Sequence, residues 1–157
     1  MTDQEPLKPV ERQLKWDKRF LELARFVANW SKDPSTKTGA VIVDNNRHIV
    51  SMGYNGFPTG VANLEDRYGD REMKYKIVVH CERNAIIFAK KLLDGCTLYT
   101  WPFMSCCPCA GMVIQAGIIR CVAPPCSAEQ KQRWGADFEI TEIIFKEAGV
   151  KLELIEI

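Results

Sequence analysis

The chain has 157 residues, of which 46% are hydrophobic and 26% are charged, and its formal net charge is +1. This length and composition predict one globular domain over residues 1–157. The nearly neutral charge argues against a protein that binds nucleic acids through bulk electrostatics. The polar start of the chain has no apolar stretch like that of a secretory signal, and no segment is long enough to span a membrane. We therefore expect a cytoplasmic protein.

The first part of the chain predicts a helix and a β-hairpin. Residues 1–14 are polar and predict a loose lead-in. Apolar residues then recur at steps of three and four over residues 16–30, which indicates an amphipathic helix, and Pro34 is expected to end it. Two apolar runs, Ala40–Val43 and His48–Tyr54, flank a polar turn and predict paired strands.

The rest of the chain alternates helices and strands after a long loop. Residues 55–76 are rich in Gly, Pro and charge, and a loop of this length is usually functional. The later elements are a helix from Cys81 with Ala85, Phe88, Ala89 and Leu92 facing inward, a strand at Leu98–Thr100, a helix from Cys106, a strand at Ile118–Val122, a helix ending at Gly149 and a strand at Val150–Leu154. Helices join the last three strands, which predicts parallel pairing within a mixed sheet covered by helices.

Two motifs contribute the residue types of a metal site. His80-Cys81-Glu82 begins one predicted helix, and Cys106-Cys107-Pro108-Cys109 begins another. One His and a C-x-x-C pair supply three ligands, which is the set that a catalytic zinc uses when its fourth position stays open for water. Glu82, two residues after the His, is placed to handle the protons of that water. The helix N-termini favour thiolates and other anions at these positions.

A structural zinc site is the alternative that these motifs leave open. In such a site a fourth protein ligand closes the coordination sphere, and Cys81 or Cys107 would supply it. We interpret both as packing residues, together with Cys96, Cys121 and Cys126. Seven cysteines in a chain without a visible signal sequence are typical of reduced thiols rather than of a disulfide framework.

Four segments carry a resemblance to a known family. They are Ser31–Val43, Gly53–Pro58, His80–Ile86 and Ile114–Ile118. With these segments the chain resembles the deoxycytidylate (dCMP) deaminase family of the cytidine deaminase superfamily over nearly its whole length. The resemblance implies an α/β fold, a three-layer α/β/α sandwich around a five-stranded mixed sheet. It also implies hydrolysis of dCMP to dUMP and ammonia, a reaction that supplies thymidylate synthesis.

The resemblance assigns roles to the residues of the two motifs. His80, Cys106 and Cys109 match the family's zinc ligands, so the expected cofactor is Zn²⁺. Glu82 matches the family's proton donor. The chain departs from the family between the His and the Glu, where Ala is usual and Cys81 stands here.

The resemblance also suggests contacts with the nucleotide. Asn55, followed by Gly56, matches a position that in related deaminases contacts the sugar and frames the pyrimidine pocket. Ser105 replaces the family's usual Pro before the first zinc Cys and offers a hydroxyl toward the pocket. The candidate donors for the 5′-phosphate, among which spacing does not choose, are Lys32, Ser35, Arg67, Arg71, Lys74 and Lys76.

The expected partners are small molecules and further copies of the chain. Relatives form homo-oligomers, so a hexamer or dimer is expected, and regulation by dCTP or dTTP is permitted. We assign the four tryptophans to the core rather than to a subunit interface. One alternative is a deaminase of the same superfamily that acts on another cytosine nucleotide or on tRNA adenosine. The other is a non-catalytic, zinc-stabilised protein that binds nucleotides. No membrane partner is expected.

Overall fold

The computed structural model describes residues 7–157, and a five-stranded sheet lies at its centre. The strands are β1 (Gly39–Val43), β2 (Ile49–Tyr54), β3 (Thr97–Trp101), β4 (Arg120–Ala123) and β5 (Lys151–Leu154). Their order across the sheet is β2-β1-β3-β4-β5. β1 pairs antiparallel with β2 and with β3, whereas β3, β4 and β5 are parallel. The predicted mixed sheet with parallel final strands is confirmed.

Helices cover both faces of the sheet. They are α1 (Pro9–Ala28), α2 (Glu65–Gly69), α3 (Arg71–Ile77), α4 (Cys81–Ala89), α5 (Cys107–Gln115) and α6 (Ala128–Ala148). Successive residues of β1 face opposite sides. Val41 and Val43 pack with α1, and Ala40 and Ile42 pack in the cluster formed with α4, α5 and α6. The structure thus has the three-layer α/β/α architecture that the resemblance implied.

The N-terminal helix starts earlier and ends earlier than the sequence indicated. The predicted lead-in is wrong for residues 9–14, which are helical, and residues 1–6 lie outside the described part of the chain. Pro9 occupies the first turn, where the missing N–H costs nothing, and the Glu11 carboxylate accepts a hydrogen bond from the Lys8 N–H. The helix ends at Ala28, so Pro34 is not its terminator.

The tryptophans lie nearer the surface than predicted. Trp30 is 48% exposed because α1 ends before it, and its ring contacts the exposed rings of Phe26 and Tyr54 edge-on. The other three, Trp16, Trp101 and Trp134, are half-buried. Assignment of Trp30 to the core is therefore wrong.

The segment predicted as a long loop contains two short helices. Residues 65–77 form α2 and α3, and Asp70 separates them. The Asp70 side chain accepts a hydrogen bond from the Met73 N–H and so caps the start of α3. Helices of five and seven residues are too short to produce a clear periodic pattern, which is why the sequence did not reveal them.

The later helices confirm most of the predicted boundaries. Gly149 ends α6 with a φ of 76°, the left-handed conformation expected of it. α4 is shorter than predicted, because Lys90 adopts a left-handed conformation directly after Ala89. Leu92 lies beyond the helix and is exposed, and Phe88, although within α4, is exposed too, so the prediction that both face inward is wrong. Within residues 7–157, none of the helices is both long and apolar enough to cross a bilayer.

Candidate active site

The two motifs stand at the N-termini of neighbouring helices, as predicted. His80 is the N-cap residue of α4, and Cys106 is the N-cap residue of α5. Each has extended backbone dihedrals, after which the chain turns into the helix. α4 packs on β1 and β2 and also contacts α5. The sheet therefore places two helix N-termini, and the anion-favouring ends of their dipoles, beside each other.

Three potential metal ligands converge at these helix starts. The ligand atoms of His80, Cys106 and Cys109 all lie within 4.8 Å of one another. His80 Nδ1 is 3.4 Å from each of the two sulfurs, which makes Nδ1 the ring nitrogen that faces the cluster. One imidazole nitrogen and two cysteine sulfurs are the donor set of a three-ligand zinc site. The residues present thus fit a zinc ion.

The two additional cysteines of the motifs do not join this cluster. Cys81 is 2% exposed and packs in the core with Ala85. Cys107 is half-buried, and its backbone N–H donates a 2.8 Å hydrogen bond to Asp137 Oδ2. Among residues 7–157, the metal cluster contains only the three predicted ligands, so neither Cys81 nor Cys107 closes it. All seven cysteines are free thiols.

Contacts within the cluster favour a thiolate at Cys106 and disfavour one at Cys109. Hydrogen bonds from the Cys109 thiol and from His80 lower the pKa of Cys106 to about 5, although burial opposes this shift. The pKa of Cys109 is raised by its hydrogen bond to Cys106 and by burial. The hydrogen bond to Cys106 also raises the pKa of His80. A thiolate forms readily at Cys106, and thiolates are the form of cysteine that binds a metal cation.

Glu82 lies beside the cluster and faces a cavity. It follows His80 by two residues, is 5% exposed and lines the same cavity as His80 and Cys106. The Cys81 thiol donates a 3.2 Å hydrogen bond to Glu82 Oε2. A buried carboxylate next to potential metal ligands, with access to a cavity, is suited to proton transfer.

The cavity has the size and composition of a small-molecule site. Its volume is about 720 Å³, within the range of ligand pockets in general. Four of the aromatic side chains in its wall are Trp101, Phe103, Trp134 and Phe138. Phe103 contacts the rings of Trp134 and Phe138. Aromatic surface of this kind suits a flat heterocyclic ring.

The predicted substrate contacts divide into two groups. Asn55 and Ser35 line the cavity, whereas Gly56, Lys32 and Ser105 do not. The Asn55 side chain accepts a 2.8 Å hydrogen bond from the Thr38 N–H and donates one of 2.9 Å to the Thr36 carbonyl. Ser105 is 2% exposed, and its hydroxyl finds no hydrogen-bond partner among the described residues. Asn55 thus fixes the 36–38 segment of the cavity wall.

The cationic candidates also divide. Arg71 and Lys74 line the cavity, and Arg67 and Lys76 do not. The structure adds Arg133, which sequence analysis missed. Arg133 and Trp134 lie on α6, which the sequence indicated only as a helix with an apolar face. No local pattern signals that this helix borders the cavity formed by the two distant motifs.

Comparison with known proteins agrees with this site. The model of the cytidine and deoxycytidylate deaminase zinc-binding region matches residues 14–124, which include the metal cluster and Glu82. A protein named "Uncharacterized deaminase in luxG 3'region" from Aliivibrio fischeri is 44% identical over 138 residues, which cover 88% of this chain and 92% of the relative. The deoxycytidylate deaminase of Mus musculus is 34% identical over 143 residues, which cover 87% of this chain and 78% of the relative.

A solved structure shows the same fold. The dCMP deaminase of cyanophage S-TIM5, in complex with dCMP and dUMP, aligns over 96% of this chain and 100% of its own with a TM-score of 0.69 at 23% identity. The family match, the two sequence relatives and the zinc-type ligand cluster agree. The chain belongs to the cytidine and deoxycytidylate deaminase family and is a zinc-dependent deaminase of that superfamily.

Proposed function

We propose that the protein hydrolyses dCMP to dUMP and ammonia and so supplies thymidylate synthesis. The observation that carries this proposal is the position of Glu82 beside the His80–Cys106–Cys109 cluster, in the wall of a cavity large enough for a nucleotide. The names of relatives support the choice of substrate. The mouse relative, at 34% identity, is named "Deoxycytidylate deaminase". The Caenorhabditis elegans relative, at 41% identity, is named "Probable deoxycytidylate deaminase".

His80 Nδ1 and the sulfurs of Cys106 and Cys109 are the atoms that would hold the zinc. A zinc ion with three protein ligands supplies a Lewis acid that activates a water molecule at neutral pH. The protein contributes the fixed position of these three side chains at two helix starts, where the dipoles favour thiolates. It also keeps Cys81 and Cys107 out of the cluster, so the described residues offer three ligands and no fourth.

Glu82 is the residue to which we assign the proton transfers. The attacking water loses two protons overall, one to ring N3 of the cytosine and one to the departing amino group. A bond forms between the water oxygen and C4, and the bond from C4 to the amino nitrogen breaks, so the products are a uracil ring and ammonia. Glu82 carries the protons between these atoms because its buried carboxylate faces the cavity. The hydrogen bond from Cys81 fixes one carboxylate oxygen.

The other cavity residues bind and orient the base. Trp101, Phe103 and Trp134 provide apolar, aromatic surface against which a pyrimidine ring packs and from which bulk water is excluded. Asn55 holds the 36–38 segment through its two backbone hydrogen bonds. These residues therefore set the position of C4 relative to Glu82, and proximity of this kind is a large part of the rate enhancement by enzymes in general.

Ammonia release from dCMP by the zinc-loaded protein tests the proposal. dCTP, deoxycytidine and cytidine serve as parallel substrates, and zinc content is measured on the same sample. Rapid release from dCMP is the expected result. No release from any of the four compounds, with zinc bound at one per chain, would show that the substrate is a different amine or that the site is not catalytic.

The Glu82→Gln variant tests the mechanism separately. It removes the proton carrier and retains nearly the same shape, so turnover is expected to fall by about 100-fold or more, the usual size of a general acid–base contribution. Zinc content and the circular dichroism spectrum are expected to match those of the parent protein. An unchanged rate would exclude Glu82 from the proton transfer.

Assembly and regulation are also proposed from the family. We propose that the protein forms a homo-oligomer, a hexamer or a dimer, and that dCTP and dTTP are the nucleotides to test as regulators. Light scattering at several concentrations measures the first property. Rates of dCMP turnover with and without each triphosphate measure the second.

A further inference from the structure

Three cationic side chains line the cavity, and they come from two different elements. Arg71 and Lys74 lie on α3, and Arg133 lies on α6. A nucleoside monophosphate carries a dianion that must be matched by charge-assisted donors when it binds. The three cations differ in burial and in ion pairing, and these differences indicate which of them is available to bind a phosphate.

Lys74 forms a buried ion pair with Asp33. Its Nζ lies 3.2 Å from Asp33 Oδ1, and the side chains are 8% and 5% exposed. The same carboxylate oxygen accepts hydrogen bonds from the N–H groups of Ser35 and Thr36. A buried pair of this kind is neutral as a unit, and removal of either partner leaves an uncompensated charge. Lys74 therefore ties α3 to the 33–36 segment.

Arg71 and Arg133 are in a different situation. Both are exposed, and neither forms an ion pair with any carboxylate within residues 7–157. The Arg71 guanidinium lies 5.3 Å from the centre of the Tyr75 ring, and its Nε donates a hydrogen bond to the Tyr75 hydroxyl. The Arg133 guanidinium lies 4.5 Å from the centre of the Trp134 ring. Both aromatic rings also line the cavity.

Stacking on an aromatic ring orients a guanidinium without using its in-plane donors. The Tyr75 hydroxyl uses the Arg71 Nε–H, so the terminal N–H groups of Arg71 and the N–H fork of Arg133 are the donors that match the oxygen atoms of a phosphate. Asp137, four residues after Arg133 on α6 and also in the cavity wall, accepts a hydrogen bond from the Cys107 backbone N–H through Oδ2. The positive charge of the two arginines is thus available to a ligand.

We propose that Arg71 and Arg133 bind the 5′-phosphate and thereby select nucleotide over nucleoside, whereas the Lys74–Asp33 pair positions α3. The inference rests on the proposed function for the identity of the base. Among the cationic candidates from the sequence, Lys32, Arg67 and Lys76 do not line the cavity, and charge pairing separates Arg71 from Lys74. Arg133 is a residue that the sequence did not nominate.

Paired substrates test the proposal. Arg71→Gln and Arg133→Gln are each expected to lower kcat/KM for dCMP by about 10- to 100-fold, the loss of charge-assisted hydrogen bonds. The kcat/KM for deoxycytidine, which has no phosphate, is expected to stay within about twofold of the parent value, because a lost phosphate contact affects only the nucleotide.

Lys76→Gln is the matched control. Lys76 is also on α3 but outside the cavity, where it pairs with exposed Glu72, so both substrates should be unaffected.

Product binding supplies a readout without chemistry. Calorimetry is expected to show that both arginine variants bind dUMP more weakly than the parent protein does. Their binding of deoxyuridine, which has no phosphate, is expected to match that of the parent protein. If the parent protein deaminates dCMP but either variant keeps the parent ratio of dCMP to deoxycytidine activity, the phosphate assignment is overturned and the proposed function stands. If the parent protein deaminates no cytosine nucleotide, the proposed function fails and the assignment falls with it.

Discussion

At the scale of single residues, Asp17 on α1 is a buried carboxylate held by several hydrogen bonds. It is 2% exposed and accepts two hydrogen bonds of 2.8 Å from the Arg120 guanidinium, one to each carboxylate oxygen. The Tyr99 hydroxyl donates another at 2.7 Å. Burial alone would raise the pKa of Asp17, but these hydrogen bonds outweigh it and hold the pKa below its ordinary value of 3.8. The carboxylate thus ties α1 to β3 and β4.

This arrangement predicts a specific loss of stability in acid. A carboxylate with a lowered folded-state pKa stabilises the fold fully above its unfolded value of 3.8, and the contribution is lost as pH falls through the lower folded value. Urea unfolding of metal-free protein between pH 7 and pH 2.5 is therefore expected to show that the free energy of unfolding declines below about pH 4. Protonation of Asp17 accounts for part of that decline. Asp17→Asn is expected to cost about 3 kcal/mol at pH 7 and to flatten that decline.

The exposed carboxylate Glu156 provides the control for this prediction. Glu156→Gln removes a charge near the end of the chain without breaking a buried pair, so its acid profile is expected to follow that of the parent protein. An Asp17→Asn variant with the same acid decline as the parent would show that Asp17 does not contribute to it.

At residue scale, the sequence pointed to the motifs whose chemistry is local. His80, Cys106 and Cys109 converge as their spacing indicated, because each motif begins a helix and the fold brings the two helix starts together. Arg133 was missed since nothing near it in sequence shows that α6 borders the cavity. Ser105 was considered for the cavity because it precedes a ligand, yet its side chain is buried and does not line the cavity.

At the scale of elements, close backbone approach decides where α4 lies. Gly53 of β2 has no side chain, and a Cβ built there would stand 2.4 Å from both the Cys81 carbonyl oxygen and the Ala85 nitrogen. These are backbone atoms of α4, the helix that His80 caps and that carries Glu82. The absence of a side chain at Gly53 thus sets the depth at which the site residues sit on the sheet.

Gly53→Ala is expected to push α4 away from the sheet. A destabilisation of about 1–3 kcal/mol is expected from this overpacking, together with weaker zinc binding because His80 moves relative to the cysteines. Urea unfolding and zinc titration with a chromogenic chelator measure the two effects.

Gly135→Ala is the matched control, because Gly135 lies within α6 and a Cβ there makes no contact shorter than 3.4 Å. This variant is expected to be neutral or stabilised by about 0.5–1 kcal/mol. Unchanged zinc affinity in Gly53→Ala would contradict the argument.

The existence of a helix, though not its exact ends, was predictable only where a pattern is long enough. The 20-residue α1 and the 21-residue α6 have apolar spacing over several turns, whereas α2 and α3 offer one or two turns each and were read as a loop. α3 also depends on a tertiary contact, the buried Lys74–Asp33 pair, which joins residues 41 positions apart. No local reading of the sequence contains that information.

At the scale of the whole molecule, topology followed from the order of elements. Strands joined through helices must be parallel, and this rule alone gave the arrangement of β3, β4 and β5. The antiparallel hairpin of β1 and β2 completes the mixed sheet. The order places α4 and α5 on the same face of the sheet, which is the reason that two motifs 26 residues apart form one cluster.

The zinc is expected to stabilise the molecule as well as to serve catalysis, because it joins α4 to α5. A ligand that binds only the folded state stabilises it by about 4 kcal/mol at 1,000 times its dissociation constant. Removal of zinc with a strong chelator is therefore expected to lower the Tm by several degrees, and added zinc is expected to restore it.

The Cys106→Ser variant should have the low Tm before any chelator is added and should not respond to the chelator. Glu82→Gln, which keeps all three ligands, should respond as the parent protein does. A parent Tm unaffected by complete removal of zinc would show that the cluster contributes nothing to the fold.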